Sequence, residues 1–97
     1  TFFDISSTAS GQCWSMTSYC PVPGPVPSSP ANNNYKPGFS SALMLKDLRL
    51  SQEAASMTTS STPLGANATS IYEEIENLGQ DSIDFSGVIK LLQNKLK

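Results

Sequence analysis

From Gly38 onward the apolar positions recur every three to four residues, and three stretches carry the pattern. In the first, Gly38–Met57, Met44, Leu45, Leu48, Gln52 and Ala55 trace one helical face, while Leu43, Leu50, Ala54 and Met57 trace a neighbouring one. The two faces cover more than half of the circumference, which predicts a helix buried between other helices. Ser40 or Ser41 suits its N-cap, and the polar run Thr58 to Thr62 suits its end. Pro63 is placed for the first turn of a second helix, on which Leu64, Ala68, Ile71, Tyr72, Ile75 and Leu78 recur, with Gly79 as its C-cap and Glu73, Glu74 and Glu76 on a solvated face. Asp84 is positioned to cap a third helix, whose apolar line is Phe85, Val88, Ile89, Leu92 and Leu96. Lys90, Lys95 and Lys97 fall in its later part, where cations complement the helix dipole. Three amphipathic helices with short connections predict an all-α fold, a small helical bundle.

Upstream the pattern changes. Residues 11–37 hold six of the seven prolines and the run Asn32-Asn33-Asn34. Proline at alternate positions forbids helix and removes ladder donors, so no central strand fits. A disordered linker is the plain reading, but linkers lack bulky side chains, and Trp14, Met16, Tyr19 and Tyr35 lie here. They point to a long Pro-rich ordered loop wrapped over a surface. Before it, Phe2, Phe3 and Ile5 suit the end of a helix whose beginning is absent, and Gly11 permits the turn that follows.

Composition narrows the chemistry. The net charge of −2 and the absence of histidine give no electrostatic footprint for nucleic acid and no basic patch for a membrane surface. No apolar run approaches the ~18 residues of a spanning helix. Cys13 and Cys20 lie seven apart, a spacing that suits neither a CxxC redox pair nor a zinc site; a disulfide is open to them, and two reduced thiols, as in an intracellular protein, are the preferred reading. Asn67-Ala68-Thr69 matches the glycosylation sequon, but inside a predicted helix it reads as chance. No phosphate-binding glycine loop, nucleophile elbow or ligand cluster occurs. What stands out is Lys46 beside Asp47 in the middle of the apolar first helix. From the pattern alone the pair reads as the solvated edge of a partly buried helix.

Three segments carry a family resemblance. GFSSALMLKDLRLSQEA resembles the Gly-Phe…Leu-Met-x-Lys-Asp-Leu helix of the β-hydroxyacid dehydrogenases. SGQCWSMTSYCPVPG resembles the loop of the 3-hydroxyisobutyrate dehydrogenase branch, and DFSGVIKLL the family's closing helix. The matches fall in the family's order, from about Ser10 to Leu92, with Cys20 departing from the Asn common among relatives.

The resemblance implies the C-terminal helical domain of a 6-phosphogluconate-dehydrogenase-like enzyme. Residues 1–10 would then be the tail of an interdomain helix, 11–37 a substrate-pocket loop and 38–97 the helical domain proper. The chain begins without Met, which fits a processed product or an excised piece, and the family's Rossmann domain and catalytic lysine have no counterpart here. The fragment is therefore expected to be inactive alone. The implied reaction is hydride transfer from a 2-methyl-3-hydroxy acid to NAD, which the Rossmann domain would bind for the most part. By resemblance Lys46 contacts NAD, and Asp47 orients that lysine. Phe39 lines the active site, and Trp14 with Tyr19 shapes the substrate pocket. Phe39 lies seven residues before Lys46 and eight before Asp47, so the three share a face if the helix reaches back to Phe39. The implied partners are the chain's own Rossmann domain and further copies of itself, and the implied address is the mitochondrial matrix in a eukaryote or the cytoplasm in a bacterium. Two other readings stand beside this one: a sister reductase of tartronate or succinic semialdehyde, and a non-catalytic helical dimerisation module.

Overall fold

A computed structural model describes residues 1–96; Lys97, counted above among the cations of the third helix, lies outside them. Among the described residues five α-helices follow one another: α1 Phe2–Ser6, α2 Trp14–Thr17, α3 Ser41–Met57, α4 Pro63–Asn77 and α5 Val88–Leu92. Single 3-10 turns lie at Pro30–Asn33 and Phe85–Gly87. No strand forms among the described residues; Ser40 and Asp84 make one isolated antiparallel bridge.

The two long helices begin as local chemistry dictates. The Ser40 hydroxyl accepts from the Leu43 N–H at 3.2 Å and caps α3. Pro63 opens α4 where its missing N–H costs nothing. Each of the three helices α3, α4 and α5 ends in the same paired arrangement of backbone bonds. In α4, Gly79 (φ 72°) donates to Glu76 and Gln80 to Ile75. Thr59 (φ 55°) and Asn94 (φ 58°) hold the left-handed position for α3 and α5.

α3 and α4 pack along one another, joined by the short link 58–62. The core is Leu45, Tyr72 and Ile75, with Met44, Leu48, Phe85, Val88, Leu91 and Leu96 packed against it. Across the rim, Arg49 pairs with Glu73 at 3.4 Å and Glu76 at 3.1 Å, both exposed to water.

Three expectations are corrected here. α3 is not buried all round: Leu43 is 47% exposed, Leu50 55% and Met57 81%, because α4 and the Phe85 turn pack on its Leu45 face and leave these three open in large part. The third helix does not run from Phe85 to Leu96. It opens as a 3-10 turn and closes at Leu92, where Asn94 takes the left-handed conformation. The loop 11–37 is ordered but holds α2 and a 3-10 turn, pinned from inside. The Tyr35 hydroxyl donates to the Pro21 carbonyl at 2.6 Å, and Asn32 bridges Gly24 and Val26. Cys20, Ala31 and Tyr35 are buried beneath it.

Candidate functional site

The side chain on which three segments converge is Asp84, fully buried just before the Phe85 turn. A carboxylate in an apolar setting is costly unless donors surround it, and five do so here. Oδ1 accepts from the Tyr19 hydroxyl at 2.7 Å, the Gly38 N–H at 2.9 Å and the Phe39 N–H at 3.0 Å. Oδ2 accepts from the Ser86 N–H at 3.0 Å and the Ser86 hydroxyl at 2.5 Å. The Asp84 backbone is used as well: its N–H donates to the Tyr35 carbonyl at 2.8 Å, and its carbonyl accepts from the Ser41 hydroxyl. Tyr35 is itself held in the left-handed region, at φ 55°, which a bulky residue keeps only when its surroundings fix it.

Electrostatics follow from that crowding. Burial alone would raise the Asp84 carboxyl, but the bonds from Ser86, Tyr19 and the Phe39 backbone outweigh it and hold the group below its ordinary value. Tyr19 is pushed up to about 12, first by burial and then by Asp84 as acceptor and as neighbouring charge. Tyr72 also rises to about 12, by burial and then by the Asp84 charge.

Above the carboxylate lies a set of rings. Trp14 stacks on Tyr19 (centroids 4.8 Å, planes 20° apart), and Tyr19 stacks on Phe85 (5.2 Å, 19°). Phe39 meets Phe85 edge-on at 5.9 Å. Trp14 and Tyr19 of the loop are thus brought into one cluster with Phe39 from the entry of α3. A separate apolar cleft of about 400 Å³ lies against α1 and is lined by Phe3, Cys13, Met16, Cys20, Val22 and Ile89. Both cysteines are free thiols.

Lys46 and Asp47 stand apart from the rings. They lie on the exposed side of α3, about 8 Å along the axis from its first residue at the usual helical rise. Phe39 does not share their helical face, because α3 begins at Ser41 and Phe39 precedes its cap. No ion pair joins Lys46 to Asp47 among the described residues, as consecutive helical positions point in different directions. Lys46 therefore carries an ammonium without an acidic partner among those residues, while Arg49 is occupied by Glu73 and Glu76.

The pattern of apolar positions missed the reach of Asp84, giving it only a capping role that covers its bond to Ser86. The Asp-Phe-Ser triplet was the available signal: an Asp with Ser two residues on builds a local carboxylate cradle. Gly38 was missed too. A Cβ there would stand 2.8 Å from the Tyr19 hydroxyl, so only glycine lets that hydroxyl reach Asp84.

Residues 1–92 match a family model described as "NAD-binding of NADP-dependent 3-hydroxyisobutyrate dehydrogenase". The chain is 50% identical over 93 residues to the probable 3-hydroxyisobutyrate dehydrogenase of Mycobacterium tuberculosis H37Rv, covering 96% of this chain and 31% of that protein. It is 42% identical over 94 residues to the mitochondrial 3-hydroxyisobutyrate dehydrogenase of Drosophila melanogaster, covering 97% and 29%. A solved structure of the M. tuberculosis 3-hydroxyisobutyrate dehydrogenase with L-serine superimposes with a TM-score of 0.90 at 49% identity, over 95% of this chain and 31% of that one. The chain thus spans about a third of the length of these relatives.

Proposed function

The chain belongs to the 3-hydroxyisobutyrate dehydrogenase family, and on that premise we propose that it is the C-terminal helical domain of an NAD-dependent enzyme of valine catabolism that oxidises 3-hydroxyisobutyrate to methylmalonate semialdehyde. The observation that carries the reading is the clustering of Trp14, Tyr19 and Phe39 above Asp84, since it brings the pocket residues of the loop and of the α3 entry to one place. L-serine, with which the mycobacterial relative was solved, is itself a small 3-hydroxy acid and supports that substrate class.

Bound nicotinamide supplies the acceptor for the hydride that leaves the carbinol carbon as the alcohol becomes an aldehyde. The work of this chain is placement. Trp14 and Phe39 offer apolar walls that shed water when a dinucleotide-binding half closes over them. Lys46 supplies positive charge to the cofactor from α3. Asp47, by resemblance the residue that orients Lys46, holds the adjoining exposed position without an ion pair to it among the described residues. The proton of the alcohol goes to a base on that half. The names of the Drosophila and human relatives place those proteins in the mitochondrion, which is the address proposed for a eukaryotic source; a bacterial source gives the cytoplasm.

In the enzyme joined to its dinucleotide-binding half, Lys46→Ala raises the KM for NAD or cuts turnover about tenfold or more; unchanged kinetics sink the role of Lys46. A panel of 3-hydroxyisobutyrate, tartronate semialdehyde and succinic semialdehyde tests the substrate. A second role is favoured by the uncovered stripe Leu43, Leu50 and Met57 on α3. Apolar surface of that kind is covered in a complete protein, by the other half or by another copy. Sedimentation of the full enzyme and of a Leu50→Glu variant measures self-association through it.

A further inference from the structure

Tyr19 has little left to offer a substrate. Its hydroxyl proton is donated to Asp84 at 2.7 Å, and an ionised carboxylate cannot return one. Its ring is stacked against Trp14 at 4.8 Å and against Phe85 at 5.2 Å. Trp14 and Phe85 both stack on that one ring, their planes 20° and 19° from it. Trp14, at the outer end of this three-ring pile, is 58% exposed. The helix that carries it, α2, is four residues long and buries none of them. The indole therefore takes its position chiefly from the tyrosine beneath it, and the tyrosine takes its own from Asp84.

We propose that Asp84 is a positioning residue for the substrate pocket, acting through Tyr19 to fix the Trp14 indole, and that Trp14 rather than Tyr19 is the ring that meets the apolar side of the hydroxy acid. This rests on the dehydrogenase reading above and deepens it. It divides the loop's two aromatics into a support and a contact, and it gives the buried carboxylate a task beyond capping. Gly38 belongs to the same device, since any side chain there collides with the hydroxyl that Asp84 holds.

The test uses the full enzyme and the variants Tyr19→Phe, Trp14→Ala, the double variant and Asp84→Asn. Tyr19→Phe keeps both stacks and removes one hydrogen bond, so the fold stands. It raises the KM for the hydroxy acid roughly tenfold with kcat nearly unchanged, the order lost when a positioned group is released. Acrylamide quenching of Trp14, taken as the difference from a Trp14→Phe enzyme, increases in the same variant. In the Trp14→Ala background, Tyr19→Phe adds nothing further to KM, as coupling through one contact requires. Asp84→Asn keeps an Oδ1 acceptor for Tyr19 and only weakens the bond, so it shifts KM and quenching in the same direction but by less than Tyr19→Phe, and the Tyr19 variants decide the matter if it does not fold.

An equal KM effect of Tyr19→Phe with and without Trp14 overturns the proposal, as does unaltered Trp14 quenching. If Trp14→Ala raises KM while Tyr19→Phe leaves it alone, the proposal fails and the dehydrogenase pocket stands. If Trp14→Ala leaves KM alone, the pocket assignment fails and takes the proposal with it.

Discussion

Replacing Asp84 separates the charge of the carboxylate from its shape. Five donors point at it: the Tyr19 and Ser86 hydroxyls and the N–H groups of Gly38, Phe39 and Ser86. Asp84→Ala strands them around a side chain that is itself fully buried, and each stranded donor costs about 1–3 kcal/mol before relaxation. Relaxation lets the hydroxyls turn away, so the loss comes to about 4–6 kcal/mol, a large share of the roughly 5–15 kcal/mol expected for a domain of this size. Asp84→Asn keeps an acceptor for Tyr19, Gly38 and Phe39 but sets an NH₂ against the Ser86 N–H. It therefore loses about 2–4 kcal/mol, from weakened charge-assisted bonds and one unpaired amide.

The assay is urea unfolding followed by circular dichroism, run from pH 7 down to pH 3. The sign follows from the lowered folded-state value of Asp84. A carboxyl depressed on folding stabilises the native state above its unfolded value of about 3.9, and that contribution drains away as pH falls further. The gap between the wild type and Asp84→Asn is thus widest at pH 6–7 and narrows below about pH 4. A gap that stays constant down to pH 3, or one under about 1 kcal/mol at neutral pH, refutes the ionised, five-donor account.

Other outcomes follow from single sites. Ile75→Ala, at a fully buried position against Leu45 and Tyr72, costs about 3–4 kcal/mol by urea unfolding with little change in the m-value. Gly38→Ala drives the Tyr19 hydroxyl from Asp84 and costs about 1–2 kcal/mol, with a red shift of Trp14 emission; an unshifted emission shows that the hydroxyl was not held there. In alkali, Tyr19 and Tyr72 titrate near 12 in the folded chain. Groups raised on folding stabilise fully below their unfolded value of about 10 and lose that contribution as pH climbs toward 12, so stability declines across this window. Absorbance at the phenolate band with parallel unfolding checks it, and Tyr19→Phe makes the decline shallower.

Legibility in the sequence divided along the range of the interactions. Ser40, Pro63 and Gly79 act on neighbours within four residues, and each sits where its chemistry places it. Asn94 acts just as locally; asparagine is a second choice after glycine for the left-handed end of a helix, and overlooking it made α5 too long. α3 was misjudged for another reason. Periodicity tells which positions are apolar, not what covers them, and Leu43, Leu50 and Met57 look identical in sequence to buried residues. The site was half legible. Trp14, Tyr19 and Phe39 came from the resemblance, and the fold draws them together, but their common anchor is 65 residues from Tyr19 and 45 from Phe39. A pairing of that separation has no local signature.

The position of Asp84 also determines how variants of this domain are to be interpreted. One carboxylate fastens the Pro-rich loop to the entry of α3 and satisfies the turn that opens the last helix. A substitution there lowers stability and disturbs the proposed pocket together, so a loss of activity by itself does not separate the two. Tyr19 and Ser86 divide the roles, because they bond opposite oxygens of the same group. Ser86→Ala removes the hydroxyl's bond to Oδ2, keeps the backbone N–H bond to the same oxygen and leaves the Tyr19–Asp84–Phe39 side in place. It is expected to lower the urea midpoint by an amount equivalent to about 1–2 kcal/mol while the KM for the hydroxy acid holds. Tyr19→Phe is expected to do the reverse, shifting KM more than stability. Should both variants move KM and midpoint in the same proportion, the two oxygens are not separable, and the carboxylate serves the fold alone.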